Sequence, residues 1–130
     1  MSVPETGFRA WLAKAANDVQ NIDNNLAAPL IPWDTVCFNA QQAAEKTLKA
    51  FLVYRHLPLM RTHDLVALLA VCAQQVPSLA ECEDDCRELT AFAVTVRYPE
   101  EVFEPVEEDG RRMIAAMARV REAVRRELPG

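Results

Sequence analysis

Glycine occurs three times in 130 residues, at Gly7, Gly110 and Gly130, and the three are far apart. A phosphate-cradling loop needs several glycines within one turn of chain, so neither a P-loop nor a dinucleotide fingerprint can be built. Serine is confined to Ser2 and Ser78, both at or near chain or helix starts, which serves nucleophilic catalysis by serine poorly. No His-Glu-x-x-His pair and no Cys-x-x-Cys pair is present. The four cysteines are Cys37, Cys72, Cys82 and Cys86. Only the last two are close, and their i,i+4 spacing puts them in phase with Leu79, Leu89 and Ala93. Buried thiols are therefore expected rather than a metal pair, and the chain calls for no metal and no cofactor. A formal charge of -5 lacks the basic excess that coats nucleic acid by bulk electrostatics. No apolar run approaches the roughly 20 residues of a membrane span. The opening MSVPETGFRA has no basic segment leading into an apolar one, and the expectation is a cytoplasmic protein that does not enter a membrane.

What is present is helix-forming material. The chain is 51% hydrophobic and 25% charged, ordinary globular values, and its length suits one domain, residues 1–130, with a core that needs no disulfide. Apolar residues recur in steps of three and four at Phe8, Trp11, Leu12, Ala15, Val19, Ile22 and Leu26, predicting a first helix over about Thr6 to Leu26 with Thr6 as cap. A second helix is predicted from Trp33 to Tyr54, with alanines at 40, 43 and 44 leaving room for a close neighbour. Pro58 breaks the pattern. Thr62 then caps a third helix over about His63 to Gln75. Ser78 caps a fourth that ends near Arg97, because Pro99 disfavours helical geometry at Tyr98. Pro105 opens a fifth helix carrying Val106, Met113, Ile114, Met117, Val120, Val124 and Leu128. Five helices with short connections predict an all-α, up-and-down antiparallel bundle.

Two polar sets stand out against this frame. The fifth helix carries arginines at 111, 112, 119, 121, 125 and 126. Glu107, Glu108 and Glu122 precede Arg111, Arg112 and Arg126 by four residues, the order favoured by exposed helical ion pairs, so a solvated, salt-paired face is the plainer reading. The other set comprises Lys46 and Lys49 on the second helix, Arg55 after it, Thr62, His63 and Asp64 opening the third, and Arg97 with Tyr98 closing the fourth. Unpaired amides at a helix start attract anions. Lys46, Lys49, His63, Arg97 and Tyr98 are accordingly the candidates for holding a phosphate or other anion. Structural readings stand beside this one: Glu45 with Lys49 is an ordinary i,i+4 pair, and Arg97 suits a helix C-terminus.

Three blocks in this order, FNAQQAAEKTLKAFLVYR, RTHDLVALL and LTAFAVTVRYPE, resemble the HEPN domain (higher eukaryotes and prokaryotes nucleotide-binding), over about residues 8 to 128. The resemblance implies a helical bundle of about five helices that usually dimerises, often encoded beside a small nucleotidyltransferase in toxin–antitoxin-like pairs. It also implies either metal-independent ribonuclease activity, through an Arg, four to six residues and then His, or a nucleotide-binding or partner-binding role without catalysis. Arg97 stands where the family arginine would, but Val102, Phe103 and Glu104 occupy the positions that should offer histidine. Cleavage through a 2′-hydroxyl needs a group that titrates near neutrality, which histidine supplies. The departure favours a non-catalytic bacterial homodimer with a nucleotide or nucleotidyltransferase partner over RNA cleavage. The rival is a rearranged ribonuclease using His63 and Arg97, and a third reading is a purely structural dimeric module.

Overall fold

The computed structural model describes residues 3–96 and 104–130, with side chains described from 7 to 92 and from 104 to 130. Arg97, Tyr98 and the positions Val102 and Phe103 lie outside the described residues. Five α-helices and one 3-10 turn form an all-α, up-and-down bundle: α1 (Val3–Leu26), α2 (Trp33–Tyr54), α3 (Leu65–Gln75), the 3-10 turn Pro77–Cys82, α4 (Glu83–Val96) and α5 (Glu107–Arg125). No strand occurs among the described residues. Within those residues no helix is long and apolar enough to cross a membrane.

The second helix is the axis of the molecule. Among the described residues it packs against every other helix, whereas α1 packs against α2 alone. Val36, Ala40, Ala44, Leu48, Phe51 and Leu52 are fully buried along it, and the small residues among them let neighbouring helices approach closely. Phe8, Ala15 and Ile22 close the core from α1, Leu65, Leu68 and Cys72 from α3, Cys86 and Leu89 from α4, and Met113, Met117, Val120 and Val124 from α5. All four cysteines are free and buried. Burial pushes the Cys72 and Cys86 thiols up to about 12 and that of Cys37 to about 11, so these are apolar fillers rather than nucleophiles.

Several helix ends differ from the sequence-based expectation, each for a local reason. The chain is already helical at Val3, so Thr6 lies within α1 and does not cap it. Asp64, not Thr62, caps α3: its carboxylate accepts from the amides of Val66 and Ala67, and an aspartate next to the first turn outcompetes a hydroxyl two residues earlier. The Thr62 hydroxyl instead accepts from the Asp64 amide. Ser78 falls inside the 3-10 turn, because Pro77 occupies its first position and the tighter winding carries the chain to Cys82 before α4 begins. Val106 precedes α5, with its amide donating to Asp109, and is 57% exposed rather than part of the core. Leu128 lies beyond the helix.

The end of α2 is a Schellman turn. The Leu57 amide donates to the Leu52 carbonyl and the His56 amide to that of Val53, which places His56 at φ 59°, the left-handed region usually given to glycine. At the opposite end, Gly110 permits a close crossing. A Cβ built there would sit 2.2 Å from the Trp33 ring.

Candidate functional site

Gln41, Glu45 and Lys49 set polar groups one turn apart on one side of α2, and the fold buries that side. Glu45 is its centre, with a side chain only 5% exposed. Lys49, one turn on, donates to Glu45 Oε2 at 2.9 Å. Gln41, one turn back, donates to Glu45 Oε1 at 2.9 Å and also to the His63 carbonyl at 3.2 Å. The Gln42 amide donates to Gln41 Oε1 at 2.7 Å. His63 arrives from the α2–α3 connection and places Nδ1 3.0 and 3.1 Å from the two Glu45 oxygens.

Burial alone would push the Glu45 carboxyl up. Hydrogen bonds from Lys49, Gln41 and His63 outweigh it and hold Glu45 below its ordinary value. An ionised carboxylate can only accept, so His63 Nδ1 carries the proton and Nε2 is left on the outer side of a ring whose side chain is 63% exposed. Trp11 of α1 covers the other flank, with the Lys49 ammonium 5.7 Å from its ring centroid. Lys49 is 10% exposed, enclosed between a carboxylate and an indole face.

Lys46 points elsewhere. Its ammonium meets Asp18 of α1 at 2.7 Å, and both side chains are largely covered. The amides opening α3 are also occupied, those of Val66 and Ala67 by Asp64 and that of Leu65 by the Thr90 hydroxyl. Of the sequence candidates, then, Lys49 and His63 meet on one carboxylate, Lys46 belongs to a separate pair, and Arg97 and Tyr98 lie outside the described residues. Arg55 sits at the end of α2 with its guanidinium 5.3 Å from the Phe51 ring centroid.

Sequence reasoning underrated Glu45 and missed Asp18 and Trp11. Asp18 did leave a signal, standing three residues after Ala15 and four before Ile22 on the apolar stripe. Trp11 left none, because an aromatic on an apolar stripe reads as core.

A polar α2 stripe carrying Gln41, Glu45 and Lys49, followed by Thr62-His63-Asp64 docked on that stripe, agrees with a family match along nearly the whole chain: the HEPN domain model matches residues 8–127. The chain belongs to the HEPN domain family. No curated protein matches it. Among solved structures, the crystal structure of TT1696 from Thermus thermophilus is similar, with a TM-score of 0.83 and 22% identity over 98% of this chain and 100% of that one. At that identity the likeness speaks for the helical fold alone.

Proposed function

We propose that this HEPN chain is a non-catalytic subunit that works as a homodimer and serves a protein partner, the small nucleotidyltransferase of a toxin–antitoxin-like pair. The carrying observation is that the cations of α2 are committed inside the fold: Lys49 to Glu45 at 2.9 Å and Lys46 to Asp18 at 2.7 Å. A phosphate would have to compete with a buried carboxylate for each of them. The absence of histidine at Val102, Phe103 and Glu104 argues against RNA cleavage on separate grounds.

A second reading is favoured by His63. Its Nδ1 is fixed on Glu45 while most of the ring is exposed, so Nε2 is oriented to meet a nucleotide phosphate or, in a ribonuclease, to move a proton. An amide NMR titration of labelled protein, first with ATP and then with a short RNA, separates the readings. The partner-serving account expects a flat response to both at millimolar ATP, and a nucleotidyltransferase added afterwards should shift the protein's resonances. Saturable shifts around Lys49 and His63 on adding ATP would replace it with the nucleotide-binding account. RNA cleavage without metal, abolished in both His63→Ala and Arg97→Ala, would replace it with the ribonuclease.

A further inference from the structure

The ion pairs between α4 and α5 form a ladder that stops one rung short. Arg112 holds Glu88 at 2.9 Å, and Arg119 holds Asp85 through two nitrogens at 2.9 and 2.8 Å. The next step in the same sense, four residues back from Asp85 and seven on from Arg119, brings Glu81 and Arg126, and these two do not pair. Arg126 lies 3.4 Å from Glu122 on its own helix. Glu81 is exposed near the end of the 3-10 turn, and its carboxylate has no ion-pair or hydrogen-bond partner among the described residues. A cleft of about 400 Å³ is lined by both. We propose that this cleft docks one arginine side chain of a partner protein, with Glu81 and Glu122 holding its guanidinium.

The unmet charge in the cleft is negative. Carboxylates of Glu81, Asp85 and Glu122 line it against the guanidiniums of Arg119 and Arg126. Asp85 engages Arg119 and Glu122 engages Arg126, so what is left over is a carboxylate, and it calls for a cation. The imbalance is felt at the floor, where burial raises the Cys82 thiol and the charges of Asp85 and Glu81 raise it further against Arg119. That floor is made by Ala118, Ala123 and the buried Cys82, a surface for methylene groups rather than for a bare ion. Glu81 comes from the 3-10 turn and Glu122 from α5, so the occupant needs donors on more than one edge. A guanidinium offers five in a fixed fork, whereas an ammonium is a compact point charge.

Glu122 is 55% exposed, so water and salt screen the contact, and one side chain by itself should bind at about millimolar strength. Such an anchor fixes the register of a larger docking contact more than it supplies affinity. Surface for that contact lies alongside, where Ala115, Ala118 and Arg125 are exposed. Arg126 competes with the incoming arginine for Glu122. Its removal should therefore tighten binding of a cation, the reverse of what a site for anions would show. The docking site rests on the partner-serving reading for the source of the side chain, whereas the chemistry of the cleft stands apart from it.

The test titrates Nα-acetyl-arginine N-methylamide, a single capped residue, into labelled protein at low salt, followed by amide NMR. Saturable shifts are expected around Glu81, Cys82, Ala118 and Ala123. Glu81→Gln should weaken binding about three- to fivefold and Arg126→Ala should tighten it by about the same factor, with far-ultraviolet circular dichroism unchanged in both. The citrulline analogue, which keeps the shape and drops the charge, should not saturate. The site would be overturned by no saturation with the arginine compound up to about 50 mM, by equal binding of the citrulline compound, or by loss of binding in Arg126→Ala. A nucleotidyltransferase is then added to the parent and to Glu81→Gln. Shifts that the substitution leaves unchanged would overturn this docking site and keep the partner-serving reading. A saturable response to the capped arginine with none to the nucleotidyltransferase would overturn that reading and keep the chemistry of the cleft.

Discussion

Two glutamate-to-base pairs at i,i+4 spacing have nearly the same length in this molecule. Glu45–Lys49 on α2 closes at 2.9 Å and Glu107–Arg111 on α5 at 2.8 Å. Their surroundings differ completely: the first pair is 5% and 10% exposed, the second 64% and 56%. Water screens the α5 pair and competes for both partners, so it contributes little to stability and stays free to exchange partners. The α2 pair has no water to return to. Losing one member there leaves a buried charge unmatched, and that cost, rather than the attraction itself, makes the polar stripe a fixed part of the fold. A buried network suits holding the α2–α3 connection in place, and an exposed one suits meeting another surface.

The sharpest way to break this comparison is Glu45→Gln. It leaves Lys49 buried without a countercharge and should cost about 3 to 5 kcal/mol in a urea melt; a loss below about 1 kcal/mol would mean that water reaches the site. The same variant tests the pH dependence. Glu45 titrates lower in the folded chain than in the unfolded one, so its contribution is present above the ordinary carboxylate value, near 4.5, and is lost as pH falls through the lower folded value. Stability of the parent should therefore fall more steeply than that of Glu45→Gln below about pH 4.5. Parallel acid limbs would remove Glu45 as the group responsible.

An apolar control comes next. Leu48 is fully buried on the same helix, and Leu48→Ala should cost about 2 to 5 kcal/mol with no change in the acid limb. Gly110→Ala should cost about 1 to 3 kcal/mol, since the added methyl meets the Trp33 ring and over-packing forces a shift in one helix. The smallest effect belongs to the exposed helix. Arg126→Ala, removing a partner of Glu122 at 3.4 Å, should change the stability of the monomer by less than about 0.5 kcal/mol. A larger loss measured at a concentration where the chain is monomeric would show that burial is not what separates the two helices.

How legible the site was depended on the reach of each contact. Glu45–Lys49 and Glu122–Arg126 are one turn apart, so spacing alone named the partners. Lys46–Asp18 and Glu45–His63 span 28 and 18 residues, and no spacing rule connects side chains on different elements. Helix capping failed for a different reason. Thr62, Ser78 and Thr6 are all competent caps, and their immediate neighbours decided otherwise: Asp64 stands next to the first turn of α3, and Pro77 opens a 3-10 turn before α4.

From the sequence by itself came the all-α bundle, the span of α2, the buried cysteines and the HEPN membership, because apolar periodicity and local motifs are properties of neighbouring residues. Only the tertiary structure decided which charges are buried. Burial depends on what packs from elsewhere in the chain, here Trp11, Asp18 and His63, and the same i,i+4 pair becomes a fixed strut or a loose surface contact according to whether that neighbour arrives.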